Sequence, residues 1–169
     1  PPVATLENFR RVLQEAAIAQ WFWNSTIIAV LVTVFTLFTS SLAAYAFAKK
    51  KFIGNKILFA LFVGSMMIPG QIVTIPLYLM MRDFHLIDTL WAVILPSLAQ
   101  PFAIFMLRQF IREIPGDIEE SARIDGAGDW KIYWHIILPL IQPALAALGI
   151  FVFITEWNSF LWPIIVLNS

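Results

Sequence analysis

Charged side chains divide this chain into long apolar stretches. Four stretches contain no Asp, Glu, Lys or Arg: residues 16–48, 57–81, 89–107 and 132–155. A helix needs ~17 to 25 mostly apolar residues to cross the hydrocarbon core of a membrane. The pattern therefore predicts an all-α, polytopic transmembrane bundle with four helices, at residues 22–48, 57–81, 89–107 and 137–157.

The composition fits a protein whose main solvent is lipid. Hydrophobic residues make up 60% of the chain and charged residues 13%, and the mean hydropathy is +0.80. The net charge is zero and the basic residues fall in short, separate clusters, which argues against a nucleic-acid partner. With no cysteine and only two histidines, we expect neither a catalytic thiol nor a metal site.

Basic residues flank the predicted helices unequally. Eight of the 11 lie in the connections 49–56 and 108–136, and three lie on the opposite side of the bundle. Since cytoplasmic connections are enriched in Lys and Arg, we expect 49–56 and 108–136 to be cytoplasmic. Residues 5–20 have helical amphipathic spacing, so we expect residues 1–21 to form an extracytoplasmic interfacial segment and residues 22–169 the membrane domain.

The connection 108–136 is the most polar part of the chain. It holds six of the 11 acidic residues, and it is longer than the ~2 to 8 residues that usually join antiparallel helices. Pro115 should end the preceding helix, Gly126 should turn the chain in a left-handed conformation, and Asp129 can cap a second helix. These signals predict a compact helical elbow, with Pro139 in the first turn of the next transmembrane helix.

One spaced motif in this connection resembles a family signature. Glu120-Ser121-Ala122, then Gly126, then the tail Ile136-x-Leu138-Pro139 resemble the EAA motif of ABC importer permeases, with Ser121 in place of the first alanine. Asp125-Gly126-Ala127 also resembles the common form of its central part. The resemblance implies a coupling helix that sits in a cleft of a cytoplasmic ATPase. The coupling residues would be Glu120, Ser121, Ala122, Asp125, Gly126, Ala127, Ile136, Leu138 and Pro139.

In that family Glu120 would be the charged anchor, Ala122 a close-packing surface and Gly126 the bend. The alternative is an ordinary solvated loop. In that case Glu119 and Arg123 would form an exposed i,i+4 pair, which contributes only ~0.3 to 0.5 kcal/mol.

Three further stretches are similar to the sugar-permease branch typified by maltose-type importers: residues 21–49, 66–81 and 156–169. This resemblance implies a subunit with six spans, so we expect one more helix on each side of this chain. It implies as partners an ATPase dimer that binds ATP and Mg²⁺, a second permease subunit and an extracytoplasmic solute-binding protein. The expected location is the plasma membrane of a bacterium or archaeon.

Polar residues in the predicted spans are candidates for a carbohydrate path, because they are costly to expose to lipid. The candidates are Ser65, Gln71, Thr74, Glu156 and Asn158, with Trp157 and Phe160 as aromatic faces. Thr33, Thr36 and Ser40 share one helix face and are expected to pack helices together. An amino-acid or peptide cargo stays open at this point, as does the less favoured class of secondary transporters.

Overall fold

The computed structural model of the protein describes residues 17–167, and every regular element within them is helical. The helices are α1 (Ile18–Lys49), α2 (Asn55–Ser65), α3 (Gly70–Asp83), α4 (Leu90–Ser97), α5 (Pro101–Glu113), α6 (Gly116–Ile124), α7 (Asp129–Leu140), α8 (Gln142–Trp157) and α9 (Leu161–Val166). Most of the predicted interfacial segment 1–21 lies outside the described residues, and its last residues belong to α1.

α1 is the central element of the bundle. It spans 32 residues, and among the described helices it alone is long and apolar enough to cross a membrane unbroken. α5 and α8 pack along it, and the three helices bury Val32, Ala44, Leu107, Ile111, Leu148 and Val152 between them. The prediction of a span at 22–48 is confirmed, with a start one turn earlier.

Each of the other three predicted spans is a bent pair of helices. The bend is 101° between α2 and α3, 40° between α4 and α5, and 74° between α7 and α8. Counting each pair as one span, the described residues hold the four predicted spans. The helices predicted at 57–81, 89–107 and 137–157 are thus present, each as two helical segments joined by a bend.

Proline lies at each of the three bends. Pro69 precedes α3, Pro101 is in the first turn of α5, and Pro143 is in the first turn of α8. Proline has no N–H to continue the helical ladder, and its ring clashes with the preceding turn. Pro143, and not the predicted Pro139, therefore begins the membrane helix α8.

α7 runs through the position where the sequence predicted a boundary between the loop and the last span. Residues Tyr133–Ile137 form a π-helical turn, in which the N–H of Leu138 bonds to the carbonyl of Tyr133. This wider turn accommodates Pro139, which has no N–H to offer to the carbonyl four residues back. The helix consequently continues from Asp129 to Leu140 before it bends at Ile141.

α1 and α8 pack closely where Gly149 faces α1. A Cβ atom on Gly149 would lie 3.3 Å from Cδ1 of Leu37 and 3.8 Å from Cγ2 of Thr33. On α1, next to Thr33 and Leu37, the side chains of Thr36 and Ser40 are buried. The expectation that Thr33, Thr36 and Ser40 pack helices together agrees with this arrangement.

Candidate coupling elbow and substrate-path cavity

α6 and the start of α7 form the predicted helical elbow. α6 follows Pro115, and Gly126 after its end has φ +79°, which confirms its left-handed conformation. The N–H of Gly126 bonds to the carbonyl of Arg123, and that of Ala127 to the carbonyl of Ala122. These two bonds close the helix end, so the chain turns sharply into α7.

Glu119 attaches α6 to the end of α1. The residue is 7% exposed, and its carboxylate lies 3.1 Å from Nζ of Lys49 and accepts a hydrogen bond of 3.5 Å from the hydroxyl of Tyr45. Lys49 Nζ also donates to the carbonyl of Ile114 at 2.6 Å. The surface pair of Glu119 with Arg123, which belonged to the alternative of a solvated loop, is absent from the described residues, and a buried ion pair between two helices is present instead.

Asp129 makes a second attachment between the elbow and α1. It lies 2.6 Å from Lys50 Nζ and 2.6 Å from Arg123 Nη2, so it joins three parts of the chain. The hydrogen bond with Lys50 lowers the pKa of Asp129 below its ordinary value, burial opposes this, and Arg123 lowers it further. Asp129 does not cap α7, because the cap position is Gly128 and the carboxylate is bound to the two cations.

The predicted coupling residues divide into an exposed and a packed group. Glu120, Ser121, Asp125, Gly126 and Pro139 are exposed. Ala122, Ala127, Ile136 and Leu138 pack against the core of the bundle. The residues of the first group are therefore free to meet a partner, while those of the second hold the elbow in position.

The exposed face of α6 also carries apolar side chains. Ile124 is 86% exposed and Ile118 is 37% exposed, and no described residue pairs with the side chain of Glu120. Ile124 lies one turn after Glu120, so these two side chains share one exposed face of α6. Ile124 is not among the residues predicted from the sequence, although an isoleucine that ends a short polar helix is a usable signal.

Three of the five substrate-path candidates line one cavity. Gln71, Thr74 and Glu156 face a space of about 340 Å³, together with Ser97, Ser159 and Trp162. Ser65 does not line this space, and its hydroxyl donates to the carbonyl of Phe62 at 2.7 Å. Asn158 does not line it either, and its amide donates to the carbonyl of Ile154 at 2.7 Å.

Glu156 is the central polar group of this region. Its carboxylate accepts a 3.4 Å hydrogen bond from the amide of Gln100, which sequence analysis did not single out. It also lines a second cavity of about 350 Å³, beside Asn24 and Ser25 of α1. A carboxylate between two cavities can accept hydrogen bonds from hydroxyl groups on either side.

The aromatic side of the cavity differs from the prediction. Trp162 lines it and donates its indole N–H to the carbonyl of Ala92 at 3.0 Å. Trp157 instead packs edge-on against Phe22, with ring centroids 5.1 Å apart.

Within residues 17–167 no three His, Asp or Glu side chains are grouped to hold a metal ion.

Together, a bundle of bent apolar helices, a polar elbow attached at one end and a polar cavity towards the other define a polytopic membrane protein. Residues 36–169 match the family of binding-protein-dependent transport system inner membrane components. The chain belongs to that family.

Relatives and a solved structure agree with this membership. The arabinooligosaccharides transport system permease protein AraQ of Halalkalibacterium halodurans is 39% identical, over 100% of this chain and 61% of its own length. The lactose transport system permease protein LacG of Rhizobium radiobacter is 33% identical, over 98% of this chain and 61% of its own. The chain thus spans about three fifths of the length of these curated relatives.

The fold is similar to that of a bacterial ABC transporter involved in the import of the acidic polysaccharide alginate. The TM-score is 0.79 at 30% sequence identity, over 95% of this chain and 57% of the other. These similarities confirm the resemblance to ABC importer permeases of the sugar type. They also confirm the predicted membrane-helix bundle.

Proposed function

We propose that the complete protein is the permease subunit of an ATP-driven importer, and that it forms part of the path for a carbohydrate. The observation that carries the proposal is the elbow. α6 presents Glu120 and Ile124 outwards, while the buried pair Glu119–Lys49 attaches the same helix to α1. A short helix fastened in this way transmits a displacement to the bundle instead of absorbing it.

The partner on the elbow is a cytoplasmic ATPase dimer, which binds ATP and Mg²⁺ and carries out hydrolysis. This chain would then have a transport role and no catalytic residue. The protein lies in the plasma membrane of a prokaryote, and its connections 49–56 and 108–136 face the cytoplasm, where the ATPase is. A second permease subunit completes the path, and a solute-binding protein delivers the cargo from outside.

The chemistry of the cavity supports a carbohydrate cargo. Glu156, Gln71 and Thr74 supply a carboxylate, an amide and a hydroxyl, and Trp162 supplies an aromatic ring. Sugars present many hydroxyl groups and apolar ring faces, which such a combination of groups binds. The named cargoes of the relatives AraQ and LacG, an arabinooligosaccharide and lactose, support the same class.

The test is to reconstitute the full-length permease with its partners and its binding protein, and to measure ATP hydrolysis. We expect stimulation by oligosaccharides and none by amino acids or peptides. Glu156→Gln should raise the half-maximal sugar concentration by about tenfold, because hydrogen bonds to a charged group are worth ~1.5 to 3 kcal/mol. Ser65→Ala, outside the cavity, is the matched control and should change little. A response to amino acids or peptides alone would show that the cargo class is wrong and leave the importer role in place.

A further inference from the structure

The turn between α1 and α2 borders an open cavity that the transport role does not use. It has a volume of about 550 Å³ and is lined by residues 47, 48, 50–52 and 54–57. Three of these are lysines, Lys50, Lys51 and Lys56, and none is acidic. The cavity is therefore a basic surface beside the ends of two membrane helices.

Two of the three lysines are not used in holding the fold together. Lys50 is bound to Asp129, and its Nζ lies 4.8 Å from the centre of the Tyr45 ring. Lys51 and Lys56 form no ion pair or hydrogen bond with any described residue. Their ammonium groups are available to an anion that enters the cavity.

Apolar side chains surround the same lysines. Ile53 at the tip of the turn is 103% exposed, and Phe52 next to it is 41% exposed. The ring of Phe47 lies 5.9 Å from that of Phe52 and 5.7 Å from that of Phe62, so aromatic surface continues from the cavity along α2. Lysines next to exposed apolar residues are characteristic of segments at the boundary of headgroups and acyl chains.

The turn itself is held by local bonds. The side-chain amide of Asn55 donates to the carbonyl of Lys50 at 2.9 Å, and the N–H of Asn55 donates to the carbonyl of Phe52 at 3.2 Å. Gly54 has φ +87°, which a residue with a side chain rarely adopts. The cavity is thus a formed feature of the turn.

We propose that this cavity binds the headgroup of an anionic phospholipid. The phosphate accepts hydrogen bonds from Lys51 and Lys56, and an acyl chain lies along the aromatic surface of Phe47 and Phe62. Basic pockets between membrane helices bind anionic headgroups in this way. A lipid fits better than a protein surface, because the turn directly joins two membrane helices and its most exposed side chains are apolar. The proposal depends neither on the cargo nor on the ATPase.

The test uses the full-length permease in its complex, in nanodiscs, with a fluorophore on a single cysteine at Ile53. Brominated phosphatidylglycerol and brominated phosphatidylcholine serve as quenchers at equal mole fraction. We expect stronger quenching by phosphatidylglycerol. Lys56→Gln should lower this preference by ~5-fold, and Lys51→Gln with Lys56→Gln by more, because each lysine near a charged surface contributes about that factor.

Lys131→Gln is the matched control. Lys131 is an exposed lysine of the elbow that does not line the cavity, so its loss should leave the preference intact. Equal quenching by the two lipids in the wild type overturns the proposal, as does an equal effect of Lys131→Gln and Lys56→Gln. If the double variant loosens the ATPase and leaves the lipid preference unchanged, the cavity is a protein-docking surface and the proposal is wrong.

Discussion

Two neighbouring glutamates in α6 have different environments. Successive residues on a helix are about 100° apart, so Glu119 faces the bundle while Glu120 faces outwards. The acidic helix could be predicted from the sequence, but its inward and outward faces could not, because they depend on where α1 ends. The motif residue Glu120 is exposed, and its neighbour Glu119 makes the contact with Lys49.

Glu119→Gln tests this difference. Removal of one charge leaves Lys49 nearly buried without its partner, and breaking a buried pair costs ~3 to 5 kcal/mol. We expect a lower unfolding temperature of the purified complex and reduced transport. Glu120→Gln is the matched control and should keep the unfolding temperature of the wild type. An unfolding temperature of Glu119→Gln equal to that of Glu120→Gln would contradict the attachment of α6 to α1. The exchange of the two charges, Lys49→Glu with Glu119→Lys, should recover part of the loss.

Gly126 and Gly128 offer a second matched pair in the elbow. Gly126 has φ +79° and Gly128 has φ −76°, and a Cβ on either would meet no other atom within 4 Å. Valine at positive φ is strongly disfavoured, by at least ~1 to 2 kcal/mol. We expect Gly126→Val to reduce transport and ATPase association in a pull-down, with normal membrane levels. Gly128→Val should do neither. Equal behaviour of the two variants would show that the bend at Gly126 is not needed.

At the scale of elements, the sequence identified the spans but not their bends. Length and apolar character determine whether a segment can cross a membrane, and these could be read directly. Prolines mark the bends, yet Pro76 lies in the middle of α3 without ending that helix. Whether a proline breaks a membrane helix depends on neighbours that can bond the freed backbone groups, which sequence alone does not reveal.

The crossing of α1 and α8 depends on a residue without a side chain. Gly149→Leu should push the helices apart, because even a Cβ lies 3.3 Å from Leu37. Overpacking of this kind costs ~1 to 3 kcal/mol, so we expect a lower unfolding temperature of the complex. Ala147→Leu places the same side chain at an exposed position of the same helix and should be tolerated. Tolerance of both changes would indicate that the crossing is loose.

At the scale of the whole molecule, the distribution of basic residues predicts the orientation. The structure supplies exposed positions for a test, since Ile53 is 103%, Ile124 86% and Phe84 62% exposed. Single cysteines at Ile53 and Ile124 should be protected from an impermeant thiol reagent added to intact cells. Ile124 should be tested without the ATPase as well, because a bound partner would also protect it. A cysteine at Phe84 should react. If the cysteine at position 53 is labelled from outside, the predicted orientation is wrong.

Between α2 and α3 the backbone is not helical, and it is exposed at the surface of the bundle. Met67 is 85% exposed, and no described residue donates a hydrogen bond to the carbonyl of Met66, Met67 or Ile68. If α2 runs along the bilayer normal, its 11 residues rise roughly 16 Å and place these carbonyls about halfway across the bilayer. Lipid tails cannot bond them, so in the mature assembly they must meet water or protein. If the proposed second permease subunit supplies that cover, copies synthesised in excess of this subunit lack it, so we expect them to be degraded early. The cellular amount of this protein should therefore follow the supply of its partner more closely than the supply of its own messenger RNA.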